Sequence, residues 1–405
     1  MSSSLVIDVE TSTFGKGNVY SQRNKLYYVG LLKEEKSFLL DVEGTDSPHG
    51  EVLALIQKEI DEAKELVLFN GKFDLSWLRR YGINFSHKKI HDCQLCHFIL
   101  THQANPYPSL NGVAEYYGLG QKIDVVREQY WDIGLDTSDV PKEILELYLE
   151  QDLNLTSQVY LRQVEEINAL PVNKQRLISL HNQDLVALQE IEWNGIKYDS
   201  AESEKLATEL AETISLMESE MFKLHSLPGF NNSSKHHLSC LLYGGVFTLP
   251  EQQDTGEVFK TGPKAGQKKL KWVDIPHEFP RLVTPLRNTA YELNKNESDV
   301  SLHRWGVGAD ILTRLPAKGK AKKVVDIILK RSILEKLRGT YYEGLPKLIK
   351  EMDWEEDTLH GNLNQNVAVT GRLSSTKPNL QNMSGELKPL FYSRYSEVGK
   401  DGDYL

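Results

Sequence analysis

Cysteine is scarce in this chain. Cys93, Cys96 and Cys240 are the only three among 405 residues, a small and odd number that excludes a disulfide framework as the source of stability. Long apolar runs are missing as well: no stretch approaches the roughly 20 residues needed to span a bilayer. The start Met1-Ser2-Ser3-Ser4-Leu5-Val6-Ile7-Asp8 has neither the basic region nor the apolar segment of a secretory leader. These absences predict a cytoplasmic protein without membrane attachment. No internal repeat or long low-complexity segment is visible, which excludes solenoids and disordered arrays. Present instead are 40% hydrophobic residues, enough for real cores, and a length that predicts two or three domains. The net charge of −10 does not exclude a polyanionic partner, because a global sum hides local fields. Lysines gather at Lys260, Lys264, Lys268, Lys269 and Lys271, and with Arg331 at Lys318, Lys320, Lys322, Lys323 and Lys330; such runs also occur as plain solvated surface.

Residues 1 to about 165 read as an α/β unit. Leu5-Val6-Ile7 is a buried-strand signal, Leu26 to Val29 and Ser37 to Leu40 suit an antiparallel pair, and Glu65 to Phe69 reads as a further strand. Helical spacing appears in Glu51 to Ala63 and in Lys142 to Val164, and Pro171 marks a boundary. Beyond it the chain reads as mainly helical, broken at Pro228-Gly229-Phe230-Asn231-Asn232 and over the Gly- and Lys-rich stretch Gln252 to Gln267.

Carboxylates form the first chemical pattern. Asp8 and Glu10 end a strand, and alternation points both to the same side, where they repel unless cations neutralise them. Alone, an Asp-x-Glu is more often an ordinary exposed strand end. Asn70-Gly71-Lys72-Phe73-Asp74 follows another strand and begins a helix, which brings a third acid beside the pair if the two strands are neighbours. Tyr148 and Asp152 are four residues apart on a predicted helix and share a face. A competing metal site is His91-Asp92-Cys93-Gln94-Leu95-Cys96-His97, but a structural zinc needs a second ligand pair and none lies nearby. Cys93, Cys96 and Leu100 sit at helical spacing among apolar neighbours, which favours buried thiols.

Together and in this order, these elements resemble the DEDD-type 3′ to 5′ exonucleases, in the subclass with a tyrosine in the third motif. The resemblance covers about residues 1 to 165 and includes Asp8, Glu10, Asp74, Asp152 and Tyr148. It implies an α/β ribonuclease-H-like fold and two Mg2+ or Mn2+ ions, held by the four acids, that activate a water and stabilise the leaving 3′ oxygen of a terminal phosphodiester. Tyr148 would position that water, and Thr11, Asn70 and Phe73 would line the 3′-terminal nucleotide.

A second resemblance runs through the rest of the chain. Thr370-Gly371-Arg372-Leu373-Ser374-Ser375-Thr376-Lys377-Pro378-Asn379-Leu380-Gln381-Asn382 looks like the duplex-gripping palm motif of family A (DNA polymerase I-like) DNA polymerases, phage-type or bacterial. Glu190 to Asp199 resembles the start of that family's polymerase region, Phe230 to Leu238 and Leu241 to Gly244 its thumb, and Lys336 to Tyr341 its thumb-to-palm helix. An arginine expected four residues before Lys336 falls on Ser332, with Arg331 one position off, which puts that DNA contact in doubt. The resemblance divides the chain into an exonuclease domain (1–168), the polymerase-region start and a mainly helical thumb (169–350), and an incomplete α+β palm (351–405). Lys336, Arg372, Asn379, Gln381 and Asn382 would bind primer-template duplex, Arg372 through minor-groove acceptors common to all base pairs. Asp403-Tyr404 follows a polar, turn-like stretch and so does not read as the strand-borne polymerase aspartate.

Accordingly, the expected function is a proofreading nuclease joined to the front half of a split or truncated replicative polymerase, acting on single-stranded 3′ ends and on primer-template. Nucleotide addition would await a second chain with the remaining palm and fingers, in the cytoplasm or, for a phage protein, in the host cytoplasm. The alternatives are a DNA-clamp subunit with little activity of its own and, less favoured, a stand-alone exoribonuclease.

Overall fold

The computed structural model describes residues 4–43, 49–122, 124–286, 290–291, 304–355 and 357–393. The chain groups into two compact units, residues 1–200 with 345–405 and residues 201–344.

A five-stranded mixed sheet organises the first unit. β1 (Ser4–Thr11), β2 (Leu26–Lys33) and β3 (Lys36–Asp41) form an antiparallel meander, while β4 (Glu65–Leu68) and β5 (Lys89–Asp92) run parallel to β1, in the order β3-β2-β1-β4-β5. The connections supply helices α1 (His49–Glu62), α2 (Lys72–Arg80) and α3 (Cys93–Leu100); α4 (Leu110–Tyr116), α5 (Val125–Gln129), α6 (Lys142–Asn168) and α7 (Val172–Asn194) follow. Period-two alternation on β1 sorts its side chains between two cores. Leu5, Ile7 and Val9 pack with Ile56, Ile60, Leu75 and Trp77 of α1 and α2, whereas Val6 packs with Leu145, Leu149 and Leu153 of α6. Asp8 and Glu10 therefore fall on the α6 side. Close approach of α6 depends on Gly30 of β2, where a Cβ would lie 2.8 Å from Leu153 Cδ1 and 2.9 Å from Leu149 Cδ1.

In the second unit, α8 (Ser200–His225) and α9 (Lys235–Tyr243) are followed by an antiparallel ribbon of β7 (Gly245–Val258) and β8 (Lys268–Phe279). After a second small pair, β9 (Ala290–Tyr291) and β10 (Arg304–Trp305), come α10 (Ala309–Leu312) and α11 (Gly319–Lys336), which runs into a π-helical turn, Leu337–Tyr342. Its core joins Met221, Leu238, Leu241, Leu242 and Tyr243 to Leu312, Val324, Val325 and Ile328. The ribbon corrects the reading of Gln252 to Gln267 as a plain break between helices. β7 is exposed on both faces beyond Leu249, so no apolar alternation announces it there, whereas β8 alternates, with Val273, Ile275 and Phe279 half-buried between exposed residues.

Residues 345–405 return to the first unit. They contribute most of α12 (Gly344–Glu351) and the short strands β11 (Thr358–Leu359), β12 (Asn362–Asn364), β13 (Ser374–Thr376) and β14 (Phe391–Tyr392). Both β11 and β14 pair antiparallel with β6 (Ile196–Tyr198), and β12 pairs with β13. Phe391 is partly covered by Tyr198 at a ring separation of 5.1 Å, and Val369 is 67% exposed. Asp403-Tyr404 lies outside the described residues.

Candidate active site

Three elements bring the predicted acids together. β1 carries Asp8 and Glu10 on the α6 side of the sheet, and α6 carries Asp152 with Tyr148 one turn before it. Ligand oxygens of Asp8, Glu10 and Asp152 all lie within 4.8 Å of one another. Asp74 is not one of this trio. It sits buried in the first turn of α2, close enough for Asp8 to be the strongest charge acting on it. The start of α2 is fixed by Asp92, whose Oδ2 accepts from the Gly71 amide at 2.6 Å while Oδ1 accepts from Leu95 at the start of α3.

Packing acids this closely has an electrostatic cost. Asp8 is partly exposed, but its carboxyl is hemmed in by protein atoms; this desolvation, followed by repulsion from Asp152, pushes it up to about 8. Glu10 is held well above the ordinary carboxylate range by burial and by Asp8 and Asp152, and Asp74 by burial and Asp8. Burial also raises Asp152, opposed by Lys122, whose Nζ donates to Asp152 Oδ2 at 2.5 Å. The other oxygen, Asp152 Oδ1, is buried with no hydrogen-bond partner. An all-oxygen set with an unsatisfied buried carboxylate oxygen suits a hard divalent cation such as Mg2+ or Mn2+, so Asp8, Glu10 and Asp152 fit that ion, with Asp74 beside them.

Tyr148 is nearly buried, with the Trp131 ring edge-on at 5.8 Å and the Lys122 ammonium 3.9 Å from its ring centre. Burial and the surrounding carboxylates drive its hydroxyl far above the ordinary phenol value. Trp131 is held by Thr137, whose Oγ1 accepts from the indole at 3.2 Å and donates to the Thr11 carbonyl at 2.6 Å. Asp136 fastens the same segment to Thr13.

A cavity of about 600 Å³ opens beside the acids, lined by Glu10, Thr11, Lys16, Phe73, Arg127 and Trp131 among others. Gly17 permits this shape: its φ is +71°, and a Cβ there would lie 2.8 Å from the Phe73 ring and 2.9 Å from Thr11 Oγ1. Of the residues expected around a terminal nucleotide, Thr11 and Phe73 line this cavity. Asn70 lines an adjoining one of about 230 Å³ that shares Lys16, Gly17 and Phe73. Sequence reasoning missed Lys16, Lys122, Arg127 and Trp131. Trp131 alone carried a signal, as an aromatic following Tyr130; a single cation with no pattern around it, whether in a loop or in the short α5, carries none.

Arg372, Asn379, Gln381 and Asn382 are exposed in the first unit, and Lys336 is exposed at the end of α11 in the second. Asn379 Oδ1 accepts from the Gln381 amide, a local turn bond. Arg331, one position off the expected arginine, is buried and bonded to Glu218, Glu335 and Ser233. Cys93 and Cys96 are buried on α3, as their helical spacing implied, and His91 Nε2 is engaged by Gln163 Oε1 at 2.9 Å.

Residues 290–396 match the model of DNA polymerase family A. DNA polymerase I of Synechocystis sp. is 25% identical over 321 residues, covering 78% of this chain and 27% of that protein. The Bacillus subtilis DNA polymerase I is 26% identical over 352 residues (86% and 33%), and the DNA polymerase of Bacillus phage SP01 is 23% identical over 388 residues (86% and 39%). The chain thus spans about a third of the length of these curated relatives. Among solved structures, the POL domain of Pol1 from M. smegmatis in complex with DNA primer-template and dNTP matches with a TM-score of 0.61 at 16% identity, covering 96% of this chain and 54% of that one, a likeness of fold. Among the described residues no helix is long and apolar enough to cross a membrane. Residues 290–396 thus match the family A DNA polymerases, and most of the chain is similar to part of DNA polymerase I.

Proposed function

We propose that residues 1–168 are a 3′ to 5′ proofreading exonuclease of the DEDD type with a ribonuclease-H-like fold, working beside a duplex-binding region of a family A polymerase. The observation that carries this reading is the convergence of Asp8, Glu10 and Asp152 within 4.8 Å, with Tyr148 on the same helix. The mixed sheet with its antiparallel meander and two parallel strands supports the fold assignment.

Asp8, Glu10 and Asp152, with Asp74 beside them, would hold two Mg2+ or Mn2+ ions, whose chemistry is to make a water nucleophilic at neutral pH and to stabilise the departing 3′ oxygen. The chain's own side chains do the rest. Tyr148 keeps its proton and orients the attacking water through its hydroxyl. Phe73 and Trp131 offer aromatic faces to the terminal base, Thr11 a polar edge to the sugar, and Lys16 and Arg127 positive charge to phosphates. Asn70 borders the adjoining cavity, where the preceding nucleotide would lie.

Primer-template duplex is the proposed ligand of Arg372, Asn379, Gln381 and Asn382 and, on the thumb-like unit, of Lys336. Residues 169–350 take the role of polymerase-region start and thumb, and 351–405 that of palm. Nucleotide addition would use further palm and fingers elements, on this polypeptide or another. A 5′-labelled oligonucleotide tests the reading: single-stranded DNA with a free 3′ end should be shortened stepwise with release of nucleoside monophosphates, faster than RNA, and a blocked 3′ end should protect it. Preference for RNA would favour the exoribonuclease reading, and internal cleavage would contradict exonucleolytic action.

A further inference from the structure

Lys122 lies between α4 and α5, on a segment with no motif to announce it, yet its ammonium reaches the centre of the acidic site. Nζ donates to Asp152 Oδ2 at 2.5 Å, lies 3.4 Å from Asp124 Oδ1, and stands 3.9 Å from the centre of the Tyr148 ring. Its side chain is only 10% exposed. An ammonium is withdrawn from water to that extent only where negative charge compensates it. Its field lowers the proton affinity of Asp8, Glu10 and Asp152 alike, so one cation serves three acids contributed by a strand and a helix. The geometry creates a conflict. Asp152 is one of the three acids whose ligand oxygens converge, and the Oδ2 lone pair engaged by the lysine is not available to a metal ion, which leaves only the unpartnered Oδ1 and denies the ion a hold on both oxygens. Positive charge at this distance also weakens the attraction of the whole cluster for another cation. Asp124 is 30% exposed and already within reach of Nζ, so it offers a seat that requires only a side-chain movement.

We infer that Lys122 is the resident cation of the carboxylate cluster and competes with a divalent ion for Asp152, withdrawing toward Asp124 when the ion binds. The inference rests on the exonuclease reading of the site and adds a residue that sets its metal affinity. Lys122 acts through Asp152, so it is a positioning residue.

Binding of Mn2+ to the full chain without nucleic acid, followed by electron paramagnetic resonance of the free ion, tests this without recourse to activity. Lys122→Met keeps an unbranched chain against Tyr148 and removes the charge; it should bind Mn2+ about tenfold more tightly than the wild type, the scale on which side chains around a metal site tune affinity. Lys122→Arg should stay close to wild type. Thermal unfolding gives a second readout. Without metal, Lys122→Met should unfold at lower temperature than the wild type because the acids lose their counter-charge, and Mn2+ should raise its midpoint by more. Should Lys122→Met prove too unstable to purify, Lys122→Gln carries the same expectation. Equal or weaker Mn2+ binding by the neutral variants would overturn the inference while leaving the exonuclease reading in place. A wild-type chain that takes up no Mn2+ would overturn both.

Discussion

Tyr148 stands beside concentrated negative charge, and this decides what its hydroxyl can do. Burial, then Asp152, Glu10, Asp124 and Asp8, all oppose ionisation, so the phenol remains protonated at neutral pH, and in the proposed nuclease it would orient water without abstracting its proton. Tyr148→Phe should therefore slow single-stranded DNA hydrolysis by about 10- to 100-fold, at or below the lower end of the range for a positioned general acid or base, as suits a group that only orients. Asp152→Ala should cost far more in the same single-turnover assay. Equal losses, with metal affinity unchanged, would make Tyr148 the essential base. The acids themselves predict a pH dependence. Asp8 titrates near 8 in the folded protein against 3.8 for the ordinary carboxyl, so between those values the folded state holds a proton that the unfolded chain has released. Metal-free stability should fall as pH rises through that window and level off above it. A divalent ion binds the deprotonated form, so Mn2+ affinity should rise from about pH 6 to about pH 8 with fewer protons released per ion. Calorimetry in buffers of different ionisation enthalpy measures both quantities.

At the scale of elements, the site depends on how closely α6 can approach the sheet. Gly30→Val would drive a branched side chain into Leu149 and Leu153, on the helix that carries Tyr148 and Asp152. Overpacking of this kind costs about 1–3 kcal/mol, measurable by urea denaturation, and a displaced α6 should also lower Mn2+ affinity. The parts of this arrangement that were legible in the sequence are those with local periodicity. β1 showed its apolar run and its same-side acids, α6 its helical spacing, and α2 its strand-to-helix junction at Asn70 to Asp74. While β8 did carry alternation at Val273, Ile275 and Phe279 that the sequence reading did not use, the outer part of β7 was not legible, because a strand exposed on both faces gives no alternation to read. Nor was the return of residues 345–405 to the first unit, since pairing of β6 with β11 and β14 joins segments more than 150 residues apart, as in Thr358 opposite Lys197. Lys122 had no pattern around it, and only the folded geometry connects it to Asp152.

Across the whole molecule, the two proposed kinds of DNA contact fall to different residues, and they should separate experimentally. Arg372 is exposed and distant in sequence from the acids, within the region that matches the family A polymerases. Arg372→Ala should weaken primer-template binding by about 1–3 kcal/mol if the guanidinium reaches base edges, measured by fluorescence anisotropy at fixed salt, and leave hydrolysis of single-stranded DNA unchanged. Loss of both together would mean that this segment supports the nuclease fold. The central claim, that Asp8, Glu10 and Asp152 are the working centre of a metal-dependent nuclease, is tested most directly with the double variant Asp8→Ala/Glu10→Ala. On a 5′-labelled single-stranded DNA oligonucleotide with Mg2+, the wild type should remove nucleotides from the 3′ end. The double variant, with a circular dichroism spectrum like that of the wild type, should be slower by several orders of magnitude, as expected when metal-borne charge stabilisation is lost. Degradation by the double variant at the wild-type rate would contradict the account.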